Sequence, residues 1–93
     1  MKMQISIQDK LKEKEMTRYE LAKRIGVTYP TIDNIYKGTS TSIKLEILEA
    51  ICLELDCSPT DILVSNNPQI NRLLSYQKRF NELYAKNKGD AHQ

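Results

Sequence analysis

The chain has 93 residues, a formal net charge of +2 and hydrophobic residues at 40% of positions, which suits a single domain with a modest core and an appendage. No apolar run approaches the roughly 20 residues of a membrane span, and the opening MKMQISIQDK alternates charged and apolar residues in place of a signal-peptide core, so a soluble, cytosolic chain is expected. So small a net charge does not by itself argue for a polyanionic partner; the placement of the charges has to carry that argument.

Met3, Ile7 and Leu11, four apart, give one apolar face of a first helix predicted over residues 6–14, with Lys10, Lys12 and Lys14 on the wet side; Ile5 leaves a short extended start open. Thr17, with Glu20 three residues on, forms a capping box that starts a second helix over 18–25, with Leu21, Ala22 and Ile25 turned inward. Gly26 allows a left-handed helix end, and Val27 pins the turn to the core. Thr28 caps a third helix whose inner face is Ile32, Ile35 and Tyr36 and whose end is Lys37 and Gly38. The run TSTS at 39–42 is a loop.

From Ile43, the residues Leu45, Leu48, Ile51, Cys52 and Leu55 recur at helical spacing with Glu46, Glu49 and Glu54 outside, which predicts a fourth helix. Ser58, Pro59 and Asp61 supply cap, first-turn proline and first-turn acid for a short fifth helix through Ile62, Leu63 and Val64. Ser65-Asn66-Asn67-Pro68 marks a break, dividing a domain at 1–65 from an added segment at 66–93. In that segment Ile70, Leu73, Leu74, Gln77, Phe80 and Tyr84 share one face, predicting an amphipathic helix of about 18 residues and roughly 27 Å. Its stripe has to be buried on the back of its own domain or on a second chain. The polar end KNKGDAHQ, with His92, reads as a frayed terminus.

Charge is segregated along the chain. Residues 1–44 carry nine Lys/Arg and five Asp/Glu, residues 45–65 none and five, and residues 66–93 five and two. A basic front, an acidic back and a basic tail suit a protein that turns one side to a polyanion. Cys52 and Cys57 sit among apolar residues with no second Cys pair or His cluster, so buried free thiols are expected in place of a metal site. No acid–base pair with a pocket signature and no Gly-rich phosphate loop is present, so neither an enzyme nor a cofactor is expected.

The stretch MTRYELAKRIGVTYPTIDNIYKG, with Glu20-Leu21-Ala22, Gly26-Val27 and Ile32, followed by LEILEAICLELDCSPTDIL, resembles the Cro/CI-type, or lambda-repressor-like, helix-turn-helix family (XRE family) over about residues 7–64. The resemblance implies an all-α, five-helix domain, here with an added C-terminal amphipathic helix. It also implies a third helix lying in the major groove of double-stranded DNA, in a homodimer on a two-fold-related operator. The matching base-facing positions are Tyr29, Pro30 and Asn34, and the matching backbone-contact positions are Arg18, Lys37, Ser40 and Lys44. Leu11 and Tyr36 occupy positions where some members carry a buried Arg–Glu pair, and Asp56 ends the fourth helix where Gly is frequent.

Pro30, second in the third helix, costs no intrahelical hydrogen bond, because first-turn amides have no partner to lose. It offers an apolar edge to a thymine methyl, while Tyr29 is pushed outward at the helix tip. Asn34, one turn on, can pair bidentately with adenine. Asp33 either accepts from a cytosine amino group or points along the groove edge. Lys23, Thr28 and Thr31 are placed at phosphates with the other backbone contacts. So few strong readers imply modest specificity per half-site and a need for two. Ile70, Leu73, Leu74, Gln77, Phe80 and Tyr84 are then the candidate dimer or partner interface. A small repressor from a bacterium or phage is the leading reading. The alternative is an antitoxin or phage-encoded inhibitor that grips another protein through the same scaffold and its tail.

Overall fold

The computed structural model describes the backbone of residues 3–91 and the side chains of 3–76, 79, 80, 82 and 83. In chain order the elements are β1 (Met3–Ile5), α1 (Gln8–Glu13), α2 (Arg18–Ile25), α3 (Tyr29–Lys37), α4 (Leu45–Leu55), α5 (Pro59–Ile62), β2 (Leu63–Ser65) and α6 (Pro68–Ala91). The helices α1 to α5 wrap one core of Ile7, Leu11, Leu21, Ile32, Ile51, Leu55 and Ile62, with Ala22, Ile35 and Cys52 completing it. Each fully buried Leu or Ile contributes on the order of 1.5–3 kcal/mol relative to exposure.

Local signals decide most helix ends. Thr17 accepts from the Glu20 amide at 3.0 Å and Glu20 accepts from the Thr17 amide at 3.4 Å, so the capping box that opens α2 is complete. Gly26 and Gly38 end α2 and α3 at φ +79° and +75°, where a side chain would be strained. Asp56 ends α4 in the same conformation at φ +51°, the short polar side chain standing where Gly would be easiest. Ser58 and Asp61 form the second reciprocal box, which starts α5 with Pro59 in its first turn.

A two-stranded sheet decides one open reading and corrects one expectation. Residues 3–5 form the short extended start that Ile5 left open, with α1 beginning at Gln8, and residues 63–65 leave the fifth helix after only four residues. The two segments pair antiparallel, Met3 with Ser65, Gln4 with Val64 and Ile5 with Leu63, and the Ser6 amide donates to the Ile62 carbonyl at 2.6 Å. Val64 and Ile5 are β-branched, and pairing gives partners to backbone groups that a frayed helix end would leave to water. Ile7 is consequently the residue before α1 and wholly buried, while Met3 stands half-exposed on the strand. Leu45, expected on the inner face of α4, is 79% exposed.

The break at residues 65–68 is a structured junction. Asn67 accepts from the amides of Gln69 at 2.8 Å and Ile70 at 3.2 Å, capping α6. Asn71 accepts from the Ser65 amide at 2.9 Å, and its own amide donates to the Ser65 carbonyl, tying the first turn of α6 to β2. The helix packs against β2 and α5 and extends to 24 residues, longer than the sequence pattern implied. Ile70 and Leu74 are half-buried toward the domain, whereas Leu73 and Phe80 are exposed. The expected stripe is therefore split between two sides of the helix. Gln77, Tyr84 and His92 lie outside the described side chains or residues.

Candidate nucleic-acid interface

The turn Gly26–Thr28 sets α2 against α3, burying Leu21 and Ala22 from one side and Ile32 and Ile35 from the other. That leaves the opposite edge of α3 in solvent: Tyr29, Pro30, Asn34 and Lys37 are all exposed. Thr28 precedes α3 with extended backbone, but its hydroxyl meets the Thr31 hydroxyl at 2.9 Å and does not cap a backbone amide. Asn34 has its carbonyl held by the Thr39 amide at 3.0 Å and the Thr39 hydroxyl at 3.2 Å. Its side-chain amide makes no hydrogen bond among the described residues and is free to meet a base edge.

Asp33 is the hub of this surface. Its carboxylate lies 2.8 Å from the Arg18 guanidinium and 2.9 Å from the Lys37 ammonium, and the Tyr29 hydroxyl donates to it at 3.4 Å. The Arg18 guanidinium also stacks 4.3 Å from the centre of the Tyr36 ring. The hydrogen bond from Lys37, opposed by burial and reinforced by the charges of Lys37 and Arg18, holds the Asp33 carboxyl below its ordinary range. Two cations and one anion thus share a small patch with net charge +1. Tyr36 packs half-buried against the core and Leu11 is buried, so an apolar surface with a cation over its ring joins these two positions.

A second feature adjoins α3. Thr31, Asn34, Ser40, Ser42 and Lys44 line a shallow cleft of about 260 Å³ between α3 and the start of α4. Hydroxyls beside an ammonium and the open first-turn amides of α4 are the donors a phosphate group takes. The structure thus brings four of the chosen residues, Thr31, Asn34, Ser40 and Lys44, around one concavity, and adds Ser42. The TSTS run held the signal for Ser42, because a hydroxyl-rich loop before a helix start is rich in donors. Lys23 is exposed on α2 and lies outside this cleft.

Comparisons with known proteins show the family to which the chain belongs. The Cro/C1-type HTH DNA-binding domain model matches residues 6–69, and the chain belongs to that family. It is also 39% identical over 59 residues to the "Uncharacterized HTH-type transcriptional regulator YozG" of Bacillus subtilis (strain 168), a match covering 63% of this chain and 70% of that protein. No solved structure gives a significant match. Among the described residues no helix is long and apolar enough to cross a membrane.

Proposed function

We propose that the chain is a sequence-specific, double-stranded-DNA-binding transcriptional regulator: a small repressor that binds a two-fold-related operator as a homodimer, with α3 in the major groove. The observation that carries this reading is the exposed edge of α3, Tyr29-Pro30 and Asn34, running directly into the hydroxyl- and Lys44-lined cleft. Base edges and the neighbouring phosphate are then met by one continuous surface. Asn34 is the principal base reader, Tyr29 and Pro30 supply apolar and hydroxyl contacts, and Ser40, Ser42 and Lys44 seat a phosphate. Asp33 pairs with Arg18 and Lys37 and so limits the positive charge that this patch offers to the DNA backbone.

The test is selection from a random duplex pool by the purified full chain at near-physiological salt. A two-fold-symmetric motif with half-sites about one helical turn apart is the expected product. Enrichment of no motif, with weak and strongly salt-sensitive binding alone, would overturn sequence-specific regulation.

A further inference from the structure

The outward side of α6 is apolar and unpartnered among the described residues. Leu73, Tyr76, Phe80 and Leu83 are 55%, 56%, 63% and 55% exposed. Their spacing of three, four and three places them along one seam, the repeat with which a helix packs lengthwise on another. Two of them, Tyr76 and Leu83, were not in the stripe read from the sequence. Arg72 and Arg79, seven residues apart and both exposed, run beside the seam. The helix is held to its own domain from a different side, through Ile70, Leu74 and the Asn71–Ser65 bonds. Held that way, it turns the seam outward.

A second unpartnered surface lies on α4. Leu45 and Leu53 are 79% and 76% exposed, eight residues apart and so on one side of the helix, with Glu49 between them. Together with Leu48, Pro59 and Asp56 they line an open groove of about 850 Å³, which Asp61, Lys10 and, from the same chain's α6, Glu82 also line, so that acids outnumber the one cation in it. Residues 45–65 carry five acids and no Lys or Arg, and among the described residues Glu49 and Asp56 make no ion pair, nor do Arg72 and Arg79. Glu49 and Asp56 are seven residues apart, as are Arg72 and Arg79, so both charge rows repeat at roughly 10 Å along their helices.

We infer that the seam of α6 docks on the acidic, leucine-lined groove of α4 in a second copy of the chain, each copy giving one helix and receiving one. The inference rests on the reading of this regulator as a dimer and specifies the surfaces that form it. The two faces of one chain match in apolar length and are opposite in charge, and a two-fold axis uses the match twice. Pairing of α6 with α6 fits less well. The positions flanking the far side of the seam hold Ile70 and Gln77, which offer no acid, and an antiparallel arrangement sets Arg opposite Arg.

The experiment is a charge exchange between two full-length chains at exposed positions. One carries Glu49→Lys and Asp56→Asn, the latter keeping a residue that tolerates the left-handed conformation; the other carries Arg72→Glu and Arg79→Glu. Sedimentation equilibrium gives the dimer dissociation constant, and circular dichroism checks that each chain is folded. Wild type should dimerise, either variant alone should dimerise on the order of tenfold or more weakly, and an equimolar mixture should recover a heterodimer. The single changes Glu49→Lys and Arg79→Glu repeat the test if a double variant fails to fold. A monomeric wild type, variants that dimerise normally, or a mixture without recovery would each overturn the docking. Binding to a nonspecific duplex separates the two readings. A monomeric wild type that still binds DNA loses only the docking, whereas a working exchange in chains that bind no DNA loses only the regulator.

Discussion

Asp33→Asn is the most informative single change at the interface, because it removes the anion while leaving both of its cations in place. In the native patch Arg18 and Lys37 are each bonded to the Asp33 carboxylate, so three charges present a net +1 to DNA. With Asn the same patch presents +2. One further neutralised phosphate steepens the dependence of log affinity on log salt by ~0.9. If the electrostatic contribution vanishes near about 1 M salt, that slope is worth roughly fivefold tighter nonspecific binding at ~0.15 M. Fluorescence anisotropy of a labelled nonspecific duplex between about 50 and 200 mM salt measures both quantities. Lys37→Ala should move slope and affinity the other way, for all sequences alike. A flatter slope and weaker binding for Asp33→Asn would refute the charge argument and show that aiming Arg18 matters more than the anion's repulsion. Because the Asp33 carboxyl is held below its ordinary value of 3.8, the stability it contributes is fully present above that pH and lost as pH falls through the lowered value. The acid limb of a thermal-stability profile should therefore be shallower for Asp33→Asn than for wild type.

Asn34→Ala should relax preference at one operator position by about 1–3 kcal/mol while sparing the others; an unchanged selected motif would show that Asn34 is not a reader. Leu21→Ala, at a wholly buried site between α2 and α3, should destabilise the domain by about 2–5 kcal/mol, read as a lowered urea midpoint with unchanged slope. A loss well under about 1 kcal/mol would mean that the site collapses around the gap. Burial, reinforced by the neighbouring Cys52 thiol, pushes the Cys57 thiol up to about 11, so at ~pH 8 its thiolate fraction is roughly a hundredfold below that of an ordinary thiol. Native iodoacetamide labelling of Cys57 should be slow and should become fast in urea; equal rates in both would contradict the packing at the end of α4.

What the sequence by itself determined is whatever is written locally. The starts of α2 and α5, the left-handed ends at Gly26, Gly38 and Asp56, and the core positions Leu21, Ile32, Ile51 and Leu55 all follow from caps and periodicity within a turn or two. The exposed edge of α3 follows from the same pattern, since the residues opposite a buried stripe are necessarily outside.

Tertiary structure alone decided the rest, because those features depend on residues far apart in the chain. Three-residue strands have too little periodicity to be seen, and β1 becomes a strand only when β2, some sixty residues later, supplies its hydrogen bonds. Asp33 reads as a base contact or a repulsive edge until α2 brings Arg18, fifteen positions earlier, to 2.8 Å. The apolar stripe of α6 is continuous on a helical wheel; only the Asn71–Ser65 tie and the packing against β2 and α5 determine that Ile70 and Leu74 turn inward and Leu73 and Phe80 outward. A helix specifies its own faces, but which face meets the core is set by the surface it lands on.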